Sequence, residues 1–367
     1  MTDRRTFLQQ VAGAAGIVFV GCPWLEAAGA LQAGRSGRRR EVVVGGRRVR
    51  TVDVHAHVNV TNVLDLFQES RAQLDNPTAA TDPQSTMENV DERLRHMDEE
   101  GIDVQAVGIN PFWYRAERDL ARRLVQLQNE KIAAMCAAHP DRFVGMGTVA
   151  VQHPDLAAEQ LEEGVKKFGM RGFAIGGSVN GEELAAPKFH PFWAKAEELG
   201  TLIFIHPQGF REGEKRFRGN GALFNVIGNP LETTVALSHL IFEGTLDRFP
   251  KLKICGAHAG GYLPSYIGRS DRCVTRSPNP CMEVRPVQKR PSEYLKQLYF
   301  DSMVFTGEGL RHLVAEAGVS QVVMGTDFPA GWTSESVDHI LGTSSLSDAD
   351  KRAILGETAA KLLRIQT

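Results

Sequence analysis

The chain predicts a (β/α)8 TIM barrel, on three observations. From residue 51 onward, eight apolar runs of strand length alternate with amphipathic stretches; such alternation specifies a parallel sheet, and eight units can close on themselves. Five ionisable residues, His55, His57, His206, His258 and Asp327, fall at the C-terminal ends of these runs, the end at which a barrel assembles its chemistry. No Gly-rich phosphate loop follows the first run, which continues Val58-Asn59-Val60-Thr61, and this argues against a doubly wound open sheet.

Residues 1–30 read as a twin-arginine export signal: Asp3-Arg4-Arg5-Thr6-Phe7-Leu8, an Ala/Gly-rich apolar run, then the small-residue site Ala28-Gly29-Ala30. A periplasmic or extracellular destination follows. Residues 31–50 form an Arg-rich linker and a short hairpin turning at Gly45-Gly46, and residues 51–367 form the barrel. Its strands are expected at 51–57, 104–110, 143–150, 170–177, 201–207, 253–258, 298–304 and 322–327. The intervening helices are expected at 87–100, 116–138, 155–168, 189–199, 231–249 and 307–317, with a last helix at 348–363. Pro207 and Pro329 follow His206 and Asp327, and a proline stops the ladder where it stands.

With 42% hydrophobic and 23% charged residues, the chain is able to bury a large core. A formal net charge of −2 gives no basic footprint for nucleic acid. After residue 30 no apolar run is long enough to span a bilayer. A small-molecule substrate is the remaining class. Of the cysteines beyond the signal, Cys273 and Cys281 flank the turn-rich Ser277-Pro278-Asn279-Pro280 and suit a disulfide in an oxidising compartment, with free thiols the alternative.

His55 and His57 stand one residue apart on a strand, so both side chains leave the same face. Preceded by Val52-Asp53-Val54 at a strand end, they read as metal ligands, and Asp53 points to the same face. His206 ends Leu202-Ile203-Phe204-Ile205, and Asp327 ends Val322-Val323-Met324-Gly325-Thr326. A buried carboxylate is costly unless it meets a cation. Three imidazoles and a carboxylate suit one Zn²⁺, with Mn²⁺, Fe²⁺ and Co²⁺ as alternatives. The run 170–177 offers no Lys or Glu to bridge a second ion. His258, followed by the small residues Ala259-Gly260-Gly261, is the candidate acid/base; a supporting or fifth-ligand role is the other reading.

Together, Val52-Asp53-Val54-His55-Ala56-His57, Ile205-His206-Pro207, Ala257-His258-Ala259-Gly260-Gly261 and Gly325-Thr326-Asp327-Phe328-Pro329 resemble the amidohydrolase superfamily. The nearest branch is that of aminocarboxymuconate-semialdehyde decarboxylase, with similarity from about residue 51 to 365 through Gly228-Asn229-Pro230-Leu231-Glu232 and Phe249-Pro250-Lys251-Leu252. The resemblance implies His55, His57, His206 and Asp327 on the metal, His258 in catalysis, Arg269 binding substrate across a subunit boundary, and hence a homodimer. Two departures argue against that branch's own substrate. Gln84-Ser85-Thr86 stands where the branch carries a carboxylate-binding arginine, and Gln208 replaces a tryptophan after His206-Pro207. The loop 209–221 holds Arg211, Lys215, Arg216 and Arg218, either another anion grip or a solvated charge run.

The expected function is therefore metal-dependent decarboxylation of a small aromatic or unsaturated carboxylic acid. Hydrolysis of an amide, ester or lactone is the alternative, because one barrel site supports many chemistries. A non-catalytic exported binding module is the third reading, and the presence of His258 beside a full ligand set argues against it.

Overall fold

The computed structural model describes residues 39–60, 63, 66, 89–110, 112–275, 287–330 and 335–366. The chain divides into two compact units, Met1–Arg39 and Arg40–Thr367. The second is the barrel; the expected export signal lies outside the described residues.

Eight strands form one sheet: β1 (Val52–Val58), β2 (Val104–Ile109), β3 (Phe143–Gly147), β4 (Gly172–Ile175), β5 (Leu202–Ile205), β6 (Lys253–Gly256), β7 (Leu298–Asp301) and β8 (Val322–Val323). Each pairs in parallel with the next in chain order. The ring closes between β8 and β1: Val54 N–H donates to the Met324 carbonyl at 3.0 Å, Asp327 N–H to His55 at 2.7 Å, and His57 N–H to Phe328 at 2.7 Å. Those last two bonds place the aspartate and both histidines of the first strand at one seam.

The main helices are α1 (Val90–Glu100), α2 (Arg118–Ala138), α3 (Pro154–Lys166), α4 (His190–Leu199), α5 (Asn229–Phe242), α6 (Leu263–Thr275) and α7 (Gly307–Ala317). Side chains on β5 alternate between two buried apolar clusters. Ile203 and Ile205 pack in the outer layer with Leu156, Leu161 and Trp193, whereas Leu202 and Phe204 join Val104, Ala106 and Cys255. This period of two carries the inner series 202, 204 onward to His206.

The expected elements are present with particular differences. The run 143–150 ends its ladder at Gly147. Beyond it, Thr148 N–H donates to Asn129 Oδ1 at 2.9 Å and Ala150 N–H to Gln160 Oε1 at 2.9 Å, so helix side chains replace strand partners. The expected helix 231–249 breaks at Gly244, whose φ of 77° starts a separate turn, Thr245–Arg248. The last helix is interrupted by the wider turn Ala353–Glu357. Helix α6 was not expected.

The hairpin Val43–Val44 and Arg47–Arg48 turns at Gly45 and Gly46, both with positive φ. Arg48 fastens it to the barrel through Asp103, at 3.0 and 2.6 Å. Cys136 and Cys255 are free. Cys273 is disulfide-bonded, while Cys281 lies outside the described residues. Among the described residues no helix is long and apolar enough to cross a membrane.

Candidate metal centre

His55, His57, His206 and Asp327 meet at the C-terminal mouth of the barrel, each offering one ligand atom, with all four atoms within 4.8 Å of one another. Asp327 Oδ1 lies 2.8 Å from His57 Nε2, 3.1 Å from His55 Nε2 and 3.8 Å from His206 Nε2. His55 and His57 hold their Nε2 atoms 3.2 Å apart. Ligand atoms around a tetrahedral ion at about 2.1 Å stand about 3.4 Å from one another, so the four are spaced as one ion requires.

Two further observations fit a divalent cation. His206 Nε2 is buried with no hydrogen-bond partner, a donor atom aimed at the cluster. Asp327 in the cluster and Asp301 and Asp53 behind it are three buried carboxylates against one buried guanidinium, Arg93, an excess of acidic groups that a cation offsets. Burial opposes charge on His55, but Asp327 and Asp301 outweigh it and raise the imidazole to about 10. Burial drives His206 down to about 3, so the ring is neutral and its Nε2 is available to a cation.

His55 is oriented from behind. His55 Nδ1 donates to Asp301 Oδ2 at 2.7 Å, which directs its Nε2 lone pair into the cluster. Asp301 also accepts the backbone N–H groups of His258 at 2.9 Å, Ala259 at 2.8 Å and Met303 at 3.2 Å. It thereby ties a metal ligand to the backbone of the candidate acid/base. Asp53 lies below, accepting His55 N–H at 3.0 Å, Thr326 N–H at 3.1 Å, Thr326 Oγ1 at 2.7 Å and Gln105 Nε2 at 3.0 Å. It joins β1, β2 and the end of β8, as a support for the histidine.

His258 stands at the rim, its Nε2 3.7 Å from Asp327 Oδ2. Its backbone and those of Ala259 and Asp327 take positive φ, at 53°, 57° and 58°, conformations rare outside glycine and enriched at functional sites. The small residues after His258 are required by close packing. A Cβ on Gly260 would meet Phe300 at 2.6 Å, and one on Gly261 would meet the Pro230 carbonyl oxygen at 1.9 Å.

A cavity of 770 Å³ opens beside His206, lined among others by Asn110, Arg115, Gln208, Phe210, Arg211, Phe217 and Arg218. Two of the four basic residues of the 209–221 loop thus face it. Arg269 lies apart, exposed on α6 and outside the cavity wall. Asp301, Arg93, Gln105 and Arg115 are functional candidates that the sequence reading passed over. Asp301 lies inside the expected run 298–304 rather than at its end, so it lacks the signal that Asp327 carries.

A closed ring of eight parallel strands with one metal-binding cluster at its C-terminal mouth defines a metal-dependent barrel enzyme. The profile of the amidohydrolase family matches residues 52–365, and the chain belongs to that family. It is 32% identical to 2-amino-3-carboxymuconate-6-semialdehyde decarboxylase of Dictyostelium discoideum over 74% of this chain and 76% of that one. Among solved structures, 5-carboxyvanillate decarboxylase from Sphingomonas paucimobilis superposes with a TM-score of 0.78 at 25% identity, covering 87% of this chain and 100% of that one. A dihydroxybenzoic acid decarboxylase from Polaromonas sp., with bound manganese and the inhibitor 2-nitroresorcinol, has the same fold: TM-score 0.74, 24% identity, 86% and 97% coverage.

Proposed function

We propose that this chain is a metal-dependent decarboxylase (carboxy-lyase) of a small aromatic or unsaturated carboxylic acid. One observation carries the reading: a three-histidine, one-aspartate cluster with a further histidine at its rim, in a chain whose relative is a decarboxylase. A divalent ion held by His55, His57, His206 and Asp327 supplies Lewis acidity to substrate oxygens. Phe210 and Phe217 offer apolar faces to a ring, and Arg115 and Arg211 offer cations to its acidic groups. His258 delivers a proton to the carbon that bears the carboxylate. The bond to that carboxylate breaks, its electron pair takes up the proton, and carbon dioxide leaves.

The donor set suits zinc, and it also suits manganese, the ion bound in the Polaromonas enzyme. A homodimer is supported by exposed apolar side chains on adjoining segments: Phe224 is 59% exposed, Val226 54% and Tyr266 65%. Tyr262 donates its hydroxyl to the Val226 carbonyl at 3.4 Å, so these segments share one face, of a kind that subunits cover. Arg269 lies three residues beyond Tyr266 on the same helix, within reach of a second copy. Export through residues 1–30 is supported by the ordered signal Arg4-Arg5-Thr6-Phe7-Leu8 to Ala28-Gly29-Ala30 and by the disulfide at Cys273.

The test is a paired assay on metal-stripped protein reconstituted with zinc or manganese. Carbon dioxide is measured from a panel of carboxylated aromatics, and product acid from a lactone and amide panel. Carbon dioxide equimolar with the substrate consumed is expected, lost on stripping and restored by the ion. Turnover confined to the lactones or amides would replace the reading with hydrolysis.

A further inference from the structure

Arg93 is the one fully buried lysine or arginine among the described residues, 2% exposed, and the chemistry above gives it no part. It sits in the first turn of α1. One guanidinium nitrogen donates to Gln105 Oε1 on β2 at 3.0 Å. Another donates to the His57 carbonyl on β1. The guanidinium carbon lies 4.5 Å from the centre of the Phe328 ring, immediately after the ligand Asp327. Gln105 in turn donates to Asp53, which holds the backbone of His55 and the hydroxyl of Thr326. Through Gln105 on β2, a single planar cation therefore braces the two segments that carry the ligands, β1 with His55 and His57 and the segment after β8 with Asp327.

We propose that Arg93 is a positioning residue for the metal centre, fixing the lateral spacing of His57 and Asp327 without touching a ligand atom. The guanidinium suits this because it stacks by its face while its edge donates in two directions. An ammonium is a point donor and has no such face. Losing the brace lets the β1 end and the β8 loop drift apart, which weakens the ion's hold while leaving the cavity wall intact. The inference rests on the cluster being a metal site, so the experiment carries a separate control for that.

Metal-stripped wild type, Arg93→Lys, Phe328→Leu and Asp327→Ala are titrated with Mn²⁺ against a chromophoric chelator, and the Mn²⁺ electron paramagnetic resonance spectrum of each is recorded. Removing groups that orient metal ligands costs about 10- to 100-fold in affinity or activity. Arg93→Lys is expected to lose affinity in that range, with a changed spectrum and a lower kcat at a KM within about two-fold of wild type. A merely structural role would lower the folded fraction but leave the affinity and spectrum of what folds unchanged, and that result overturns the proposal. Should the lysine variant not fold, Phe328→Leu carries the test: a several-fold weaker hold is expected, and wild-type affinity overturns it. If Asp327→Ala binds Mn²⁺ as tightly as wild type, the metal-centre reading fails, and Arg93's role fails with it.

Discussion

His258 and Asp301 divide the work at the rim of the cluster: one faces Asp327 across 3.7 Å, and the other holds both His55 and the His258 backbone. Replacing His258 by Asn is expected to lower kcat by about 10²- to 10⁴-fold, the usual worth of a positioned proton carrier, while the bound metal per chain stays at wild-type level. Unchanged turnover would remove it from the mechanism. Asp301→Ala acts differently, because His55 loses the acceptor that orients it. Metal affinity is expected to fall about 10- to 100-fold, measured by chelator competition, along with activity. The four ligands were legible from sequence because His57, His206 and Asp327 each close an apolar run, the position where a barrel strand exposes its end, and His55 shares a strand face with His57. Asp301 escaped because the apolar residues continue past it to Val304, so the run was read too long. Arg93 escaped for another reason: its charge on an amphipathic helix looks solvated, and only the packing of Phe328 and Gln105 reveals its burial.

Between elements, the contact of the His258 turn with α5 is among the tightest constraints. A methyl group on Gly261 would meet the Pro230 carbonyl oxygen at 1.9 Å and Thr234 Oγ1 at 2.5 Å, at a φ of +64°. Gly261→Ala is expected to destabilise the fold by on the order of 3 kcal/mol, from overpacking plus backbone strain. A thermal melt with an unchanged Tm would contradict this. Glu232, on the same helix, accepts the Ser178 hydroxyl at 2.8 Å. Burial, with help from Glu183 and Glu212 and against Ser178, pushes its carboxyl up to about 7. A folded value above the free value of 4.5 means the folded state keeps the proton longer, so stability is lost as pH rises from 4.5 through 7. Glu232→Gln keeps the acceptor without the charge. Its advantage over wild type is expected to grow across that interval to on the order of 2 kcal/mol, read from denaturant melts at several pH values; a pH-independent gap would refute the assignment. Element boundaries were less legible than element order. The early end of β3 depends on Asn129 and Gln160 reaching over from helices, and the break at Gly244 on a local positive φ.

Across the whole molecule, closure of the sheet is what turns distant residues into one site. His55 and Asp327 are 272 positions apart in the sequence, yet the Asp327 N–H bonds the His55 carbonyl at 2.7 Å. The order of eight alternating units made that closure legible, since short parallel connections in chain order leave the first and last strands as neighbours. The cavity wall was not legible, because it depends on how the 209–221 loop folds back beside His206. The central claim is that this ring holds one divalent ion between four named ligands. Anomalous diffraction from crystals grown with manganese, recorded near the manganese edge, tests it most directly. One strong peak per chain is expected, within about 2.3 Å of His55 Nε2, His57 Nε2, His206 Nε2 and an Asp327 carboxylate oxygen. A fully active, manganese-dependent protein whose only peak lies elsewhere would contradict the account.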